Sequence, residues 1–516
     1  MKSSRDFESR SSRWRRARKR RRGAAIAAAT LVVLAGALAL IAEHTPRPPA
    51  AVAAAVVTPQ PLATLPPRPW TRAQISALRA RVGAALAPAL AGAAHWSLCV
   101  ISQGGELLYA VHAKTGVKPA SVEKLIVAST ALDVLGATYR YHTAIAASRP
   151  VSPDGTLTGN LWLIGSGDPS LRSTDLAAAA RDLRREGLSF IDGSVVVDAS
   201  AFRGPEINPF WNPDDANEDY QAPVSAISLD EDTVEFDATG TTPGSLADVR
   251  MNPWSGALHA IGGVTTVAAD DDADAIVAAL REPNHFDLSG TVPAGQTQKE
   301  WVPVHGIAHY AGAVMTQMLV RRGIETARAP ATGVAPTSRV TLWNHPSASL
   351  AALERHMLYI SDNHYADQLL RTLGLAVAGI GDDVHGLVAE RRDLRARGIS
   401  TAGLHLVDGS GLAEANRVSA LTLAQILVRA LALPRERGFY DLLPQGGRSG
   451  TLEGYRFGAA LGRVRAKTGH LRGVAALAGY VVSRRHGIVS FALMIDGSPG
   501  DPDGAMVHAV DAISEF

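Results

Sequence analysis

The chain uses lysine so sparingly that the few lysines it keeps are candidates for chemistry. It has seven lysines and 44 arginines. Arginine keeps its proton at any biological pH, whereas a lysine amine removed from water can lose its proton and act as a base. Lys124 follows Ser121 by three residues, and residues three apart share one face of a helix. The pair therefore predicts a serine nucleophile with a lysine base, at a helix start whose N–H groups favour an oxyanion.

Two further polar motifs lie far along the chain. Ser361-Asp362-Asn363 comes just before a helical run, so a hydroxyl and an amide can face one cleft from a turn or helix start. Lys467-Thr468-Gly469 comes before two runs that alternate in strand fashion, at 474–482 and 488–495. This context predicts an edge strand, which can line a cleft and bind a peptide as one more strand.

The tripeptide Lys-Thr-Gly occurs twice, and the two copies differ in context. Lys114-Thr115-Gly116 precedes the Ser121 motif by a few residues, in the segment that leads into the nucleophile helix. We interpret this first copy as loop residues and assign the functional role to Lys467.

Together the three motifs resemble those of penicillin-recognising serine acyltransferases. From about Trp96 to its C-terminus the chain resembles the type-4 penicillin-binding proteins, which are low-molecular-mass class C D-alanyl-D-alanine carboxypeptidases and endopeptidases. The long interval from Ser121 to Ser361 is similar to this family, which inserts domains there. The resemblance covers Pro119 to Leu125, Gly165 to Pro169, Ser361 to Ala366, Asp408 to Leu412, Gly450 to Leu452 and Ala466 to Gly469.

The resemblance implies roles for the first two motifs. Ser121 attacks the carbonyl of the D-alanyl-D-alanine bond, and neutral Lys124 takes its proton. Ser361 relays a proton to the departing amine, and Asn363 orients the substrate amide. A β-lactam would acylate Ser121 and leave slowly.

The resemblance also implies a binding strand. Lys467 supplies charge for the terminal carboxylate and helps to hold Lys124 neutral, Thr468 donates a hydrogen bond to that carboxylate, and Gly469 completes the motif. The oxyanion hole would be the backbone N–H groups of Ser121 and His470. His470 departs from the family, which usually has Thr or Ser at this position. Ser410 is a minor candidate for the rim of the pocket, within a stretch that we interpret as a turn.

The elements that must position these residues can be read from periodicity. Thr71 can cap a helix that runs to about Ala91, strands are expected at 96–102 and 106–112, and the nucleophile helix should stop at Gly136. We expect an α/β fold: a transpeptidase-like, β-lactamase-like domain with an antiparallel sheet flanked by helices. The predicted units are a basic tail at 1–22, an anchor at 23–42, a Pro/Ala-rich linker at 43–69, a catalytic domain at 70–150 plus 338–516, and β-rich insertions at 151–337.

The N-terminal segment predicts a membrane anchor. Residues 1–22 carry eleven basic and two acidic side chains, and residues 23–42 carry no charge. Twenty helical residues span about 30 Å, the thickness of the hydrocarbon core, and the basic cluster favours the cytoplasmic side. We therefore expect a single-pass cell-membrane protein with an extracytoplasmic catalytic part, or a secreted protein if the segment is cleaved.

Composition excludes several classes of function. The formal net charge is +2, and the basic excess belongs to the tail, so the body lacks a basic field for nucleic acid. The acidic runs at 230–232 and 270–274 lack the glycine and distal glutamate of a calcium loop, so neither a metal nor a cofactor is expected. The expected partners are peptidoglycan stem peptides, β-lactams as covalent inhibitors, and the membrane.

Two alternatives remain open. One is a serine β-lactamase-like hydrolase, although the Glu-x-x-Leu-Asn stretch of the class A enzymes is absent and Glu390 to Leu394 is the nearest approach. The other is a wall-binding protein with a vestigial site, which the intact motifs disfavour. The sequence contains neither a Gly-x-Ser-x-Gly elbow nor a His-Glu-x-x-His zinc motif.

Overall fold

The predicted elements around the nucleophile form close to their predicted bounds in the computed structural model, which describes residues 68–516 except 275, 433–437 and 499. The first helix spans Arg72–Leu90, and Thr71 caps it by accepting a hydrogen bond from the Gln74 backbone N–H. The nucleophile helix spans Lys124–Val134 and stops before Gly136, whose φ is +84°. These predictions are confirmed.

The two ends of the described chain share one antiparallel sheet. Its strands, in spatial order, are Val464–Leu471, Val474–Val482, Ile488–Asp496, His95–Ser102 and Leu107–Val111. Strand Val464–Leu471, which carries the Lys467 motif, is one of the two edge strands of this sheet, as predicted.

Helices cover both faces of this sheet, so its side chains are buried on both sides. Arg72–Leu90 and Pro502–Ser514 pack on one face through an apolar core that includes Leu78, Phe491 and Val510. Ala420–Ala432 packs on the other face, and the nucleophile helix packs against it. The remaining helices of the described chain around this core are Leu350–Ile360, Asn363–Ala378, Asp383–Ala396 and Phe439–Leu442.

The chain between the first two motifs forms further sheets. The largest has the strand order Ala331–Thr332, Val195–Asp198, Leu161–Ile164, His142–Ala147 and Val340–Pro346. The last two strands flank the insertion and pair with each other, so this sheet includes residues just outside 151–337. Helices Ser173–Arg185 and Ile307–Val320 pack with it around a second apolar core.

Smaller strands complete the inserted part. They form sets of two or three: Glu325–Thr326, Phe190–Asp192 and Thr156–Thr158; Thr297–Pro303, Thr233–Thr239 and Asp248–Asn252; His259–Gly262, His285–Ser289 and Val277–Glu282; Thr265–Val267 and Thr291–Pro293. The inserted part is therefore rich in strands.

The predicted anchor at 23–42 lies outside the described residues. Within residues 68–516, apart from the gaps given above, no helix has both the length and the apolar character needed to cross a membrane.

Candidate active site

Ser121 lies on a short turn of 3-10 helix that leads directly into the nucleophile helix. This turn spans Ala120–Glu123, and the α-helix begins at Lys124. Ser121 therefore lies on a tighter turn than the predicted start of an α-helix. The three-residue spacing still brings the Lys124 amine to the Ser121 hydroxyl, as expected. Lys124 Nζ donates to Ser121 Oγ over 3.0 Å. The amine lies within proton-transfer distance of the hydroxyl.

Lys124 is completely buried and has two further acceptors. Its Nζ donates over 2.7 Å to Asn363 Oδ1 and over 2.7 Å to the backbone carbonyl of Ser410. The first contact joins the first motif to the second. The second gives Ser410 a part in the site through its backbone, whereas the sequence indicated only its side chain as a candidate.

The loop that supplies the Ser410 carbonyl is held by a buried carboxylate. Asp408 accepts hydrogen bonds from the backbone N–H groups of Gly411 and Ala413 and from the Asn416 side chain. Gly411 has φ +78°, and a Cβ there would lie 2.0 Å from the Ala120 carbonyl oxygen. Only glycine allows this close approach, so the loop lies directly against Ala120 and Glu123, the residues that precede Ser121 and Lys124.

Burial lowers the pKa of Lys124 to about 8, although the neighbouring carboxylates of Asp367 and Asp408 act in the opposite direction. Two further carboxyls in this buried region, those of Glu123 and Glu390, are also removed from water. Burial raises the pKa of Glu123, Asp367 and Glu390 well above the usual range. Burial thus disfavours the charged form of these carboxyls, as it disfavours the charged form of Lys124.

This environment predicts the direction in which acylation depends on pH. A lysine acts as a base only when it is neutral, and the neutral fraction of Lys124 rises as the pH increases through about 8. We expect the second-order rate constant for acylation by a labelled penicillin to rise about tenfold for each pH unit below that value and to level above it. Rapid-quench measurements between pH 5.5 and 9.5 test this, and a rate that falls throughout this range would contradict it.

The second motif joins two helices. Ser361 ends helix Leu350–Ile360 with a left-handed φ of +64°, and Asp362 caps helix Asn363–Ala378 by accepting from the Tyr365 N–H. The prediction of a turn or helix start is confirmed. This abrupt change of direction lets Ser361 and Asn363 reach one cleft from adjoining helices.

Lys467 connects the edge strand to the second motif. Its Nζ donates over 2.8 Å to Ser361 Oγ and over 2.6 Å to the Thr468 carbonyl oxygen, and its side chain is fully buried. Thr468 Oγ1 donates to Thr451 Oγ1 over 2.8 Å. The structure thus brings residues of all three motifs to one site.

Gly469 lets the edge strand lie directly against the nucleophile turn. A Cβ at this position would lie 2.8 Å from the Pro119 carbonyl oxygen and 3.0 Å from the Ser121 backbone nitrogen. The strand can approach this closely only without a side chain. His470 follows, and its imidazole lies 2.8 Å from Asp503 Oδ1.

Gly469→Ala should therefore displace the strand or the nucleophile turn. A displacement of about 1 Å at a catalytic group can lower a rate about 100-fold, so we expect the acylation rate constant to fall about 10- to 100-fold. Gly438→Ala is the matched control, because no atom lies within 4 Å of a Cβ placed there. An unchanged rate for Gly469→Ala would show that the strand tolerates a side chain.

Motif residues border a cleft of about 470 Å³. Its lining includes Ser121, Ser361, Thr468 and His470, together with residues of the segments 451–456 and 501–508.

The first copy of the Lys-Thr-Gly tripeptide has a different environment from the second. Lys114 is exposed and lies on a turn. Its interpretation as loop residues is confirmed.

The inserted part reaches the second motif through backbone carbonyls. Asn363 Nδ2 donates to the Tyr220 carbonyl over 3.0 Å, and Gln368 Nε2 donates to the Ser225 carbonyl over 2.9 Å. His364 lies against Ser228 Oγ at 2.8 Å, and burial lowers the pKa of its imidazole to about 4. Asn363 thus connects Lys124 with the insertion, a contact that sequence reasoning missed.

One group of side chains could in principle share a cation. Ligand atoms of Glu231, His356 and Asp362 lie within 4.8 Å of one another. Arg172 already pairs with Glu231 over 2.6 Å. A bound cation would compete with this guanidinium for Glu231, so we do not interpret these three side chains as a metal site.

Comparison with known proteins decides the family. The model of the D-Ala-D-Ala carboxypeptidase 3 (S13) family matches residues 78–514. The chain belongs to this family. It is thus a serine-type D-Ala-D-Ala carboxypeptidase, and the resemblance drawn from the motifs is confirmed.

Curated relatives and solved structures agree with this assignment. The chain is 31% identical over 460 residues to the D-alanyl-D-alanine carboxypeptidase of Actinomadura sp. strain R39, covering 85% of this chain and 84% of the relative. It is 30% identical over 532 residues to carboxypeptidase DacB of Mycolicibacterium smegmatis, with 98% of each covered. The fold is similar to penicillin-binding protein 4 from Haemophilus influenzae, with a TM-score of 0.72, 24% identity, and coverage of 83% of this chain and 97% of that one.

Proposed function

We propose that this enzyme removes D-alanine from peptidoglycan stem peptides through an acyl-enzyme on Ser121, with Lys124 as the base. The observation that carries the proposal is the 3.0 Å contact between Ser121 Oγ and the buried Lys124 Nζ, beside a cleft that Ser121 and Ser361 line. In the first step, Ser121 Oγ bonds to the D-alanyl carbonyl carbon as Lys124 Nζ takes the hydroxyl proton. The backbone N–H groups of Ser121 and His470 stabilise the resulting oxyanion.

The second motif acts as the tetrahedral intermediate collapses. The peptide C–N bond breaks, and the departing amine needs a proton. Ser361 relays to that amine the proton that Lys124 took from Ser121, while Lys467 Nζ donates to Ser361 Oγ over 2.8 Å and keeps its own charge. Asn363 orients the substrate amide while its Oδ1 holds the Lys124 amine over 2.7 Å. Water then hydrolyses the ester, and the serine proton is restored.

The edge strand binds the substrate as one more strand. Lys467 provides positive charge for the terminal carboxylate, and Thr468 Oγ1, which now donates to Thr451, is the hydroxyl that would reach that carboxylate. A β-lactam carries an acyl group and a carboxylate at comparable positions. It therefore acylates Ser121 in place of the peptide.

Defined muropeptides test this proposal and the choice between carboxypeptidase and endopeptidase action. Monomeric pentapeptide and cross-linked dimer are incubated with the enzyme, and the products are identified by mass spectrometry. We expect stoichiometric release of D-alanine from the monomer, and cleavage of the dimer if the cleft also accepts a larger leaving group. Failure to release D-alanine from the monomer, by an enzyme that still forms a penicillin adduct, would contradict the proposal.

The enzyme is proposed to act outside the cytoplasmic membrane, held by residues 23–42 with the basic tail inside. The support is the uncharged stretch of twenty residues behind a cluster of arginines. Full-length protein that starts at Met1 should remain with membranes after alkaline carbonate extraction. A mature chain that begins after residue 42 would indicate a cleaved, secreted enzyme instead.

A further inference from the structure

One segment of the insertion reaches two of the groups that accept hydrogen bonds from the Lys124 amine. The amine donates to Ser121 Oγ, to Asn363 Oδ1 and to the Ser410 carbonyl. Residues 208–221, which we call the bridging segment, contact both Asn363 and the loop that carries Ser410. The position of the base therefore depends on a segment that contains none of the three motifs.

Trp211 connects the bridging segment to the loop that carries Ser410. Its indole N–H donates to Asp408 Oδ2 over 3.0 Å, and its ring is buried. A carboxylate has about four acceptor positions. In Asp408, three of them accept from donors of its own loop and the fourth accepts from the indole. The indole N–H thus ties the loop, and with it the Ser410 carbonyl, to the insertion.

A second polar contact and an apolar cluster strengthen this attachment. Asn208 Nδ2 donates over 2.7 Å to the carbonyl of Val407, the residue before Asp408. Trp211 packs in a buried apolar cluster with Phe202, Val224, Ala226, Val407 and Ala413. Because these side chains keep water away, loss of the indole N–H would leave a buried oxygen of Asp408 short of a donor.

The Gly165–Pro169 motif, which takes no part in the reaction steps, supports this cluster. The Gly167 N–H donates to the Ala226 carbonyl over 2.7 Å, and a Cβ at Gly167 would lie 2.4 Å from the Phe202 ring. The φ of Gly167 is +89°, which favours glycine as well. The motif therefore gives Phe202 and Ala226 a fixed backbone to pack against.

The other end of the bridging segment orients the side chain of Asn363. Its Nδ2 donates to the Tyr220 carbonyl over 3.0 Å, so its Oδ1 faces Lys124. An amide that was turned over would present a donor to the lysine amine instead of an acceptor. Gln221 closes the segment on itself, because its Nε2 donates to the Asn212 carbonyl over 3.0 Å. The Tyr220 carbonyl is thus part of a closed turn.

We propose that Trp211 is a positioning residue for the base: its indole N–H, donated to Asp408, holds the Ser410 carbonyl against the Lys124 amine. Acylation of Ser121 thereby depends on the insertion. This inference rests on the proposed function, because it takes Lys124 as the base. Since the indole acts through Asp408 and its loop, it should affect the rate of bond formation and not the noncovalent binding of the ligand.

Stopped-flow acylation by a labelled penicillin at increasing concentrations tests this. It separates the limiting rate constant from the dissociation constant of the noncovalent complex. Trp211→Phe keeps an aromatic ring and removes the N–H. We expect the limiting rate constant to fall about tenfold or more, since small displacements at a catalytic group lower rates strongly, and the dissociation constant to change less than about twofold. An unchanged limiting rate constant would overturn the proposal.

Two further variants separate the hydrogen bond from the packing. Benzothienylalanine in place of Trp211 keeps the bicyclic ring and has sulfur where the indole has its N–H, so it should slow acylation as Trp211→Phe does. Phe202→Leu removes volume from the same cluster and leaves the indole N–H intact, so it should acylate at close to the wild-type rate. A fast benzothienylalanine enzyme, or a Phe202 variant as slow as Trp211→Phe, would show that packing sets the rate.

Hydrogen–deuterium exchange gives a readout at the loop itself. The Gly411 and Ala413 N–H groups donate to Asp408, so their protection should fall in Trp211→Phe and persist in Phe202→Leu. Unchanged protection in a slow variant would overturn the route through Asp408. Thermal unfolding identifies a variant that fails to fold. If Trp211→Phe is such a variant, the benzothienylalanine enzyme decides with the same expected results.

Failure of this inference differs from failure of the proposed function. Every folded variant should still carry its penicillin adduct on Ser121, formed more slowly where the indole N–H is missing. A wild-type chain without that adduct would refute the proposed function. Fast acylation by Trp211→Phe, with the adduct on Ser121, would refute the role of Trp211 alone.

Discussion

Lys124→Arg is expected to abolish acylation of Ser121, with a loss of about 10³-fold in the rate constant for labelled penicillin. Arginine preserves the positive charge and the hydrogen-bonding capacity, but it cannot give up its proton and so cannot serve as the base. The buried position of Lys124, with its pKa lowered to about 8, indicates that the neutral amine is the working form. Stopped-flow fluorescence with a labelled penicillin measures the loss, and thermal unfolding checks that the variant folds.

Lys467→Arg should behave differently and retain a measurable remainder, about 1 to 10% of the wild-type rate constant. Lys467 provides charge and donates to Ser361 Oγ and the Thr468 carbonyl, which a guanidinium can also do at the cost of some displacement. Lys114→Arg is the matched control, because Lys114 is exposed on a turn, and it should leave the rate unchanged. Equal losses in the Lys124 and Lys467 variants would show that one of the two roles is misassigned.

The sequence predicts most of the acylating group because local spacing determines it. Ser121 and Lys124 lie three residues apart, so one turn of helical backbone brings them together whether the turn is 3-10 or α. The alternating pattern after Lys467 likewise predicts a strand, and an edge strand needs only one neighbour. These features depend on residues close along the chain, which is why they are readable without a structure.

Contacts between distant segments could not be predicted. The Tyr220 carbonyl meets Asn363 from a loop of the insertion, and no periodicity links a loop to a helix 143 residues away. Asp503 contacts His470 because helix Pro502–Ser514 packs across the sheet. From the sequence alone, an aspartate in the first turn of a helix is explained by its favourable interaction with the helix N-terminus, and nothing indicates a contact with His470. The role of the Ser410 carbonyl could not be predicted from residue type, because every residue has a backbone carbonyl. Gly411, the next residue, was the only indication of a close backbone contact in this stretch.

The most direct test of the account is the site of covalent modification by labelled penicillin. Wild-type enzyme and Ser121→Ala are incubated with the label, and intact mass and peptide mapping follow. We expect one adduct per wild-type chain, on the peptide that contains Ser121, and no adduct on the variant. An unmodified wild-type chain, or an adduct that survives Ser121→Ala, would contradict acyl-enzyme chemistry at this serine.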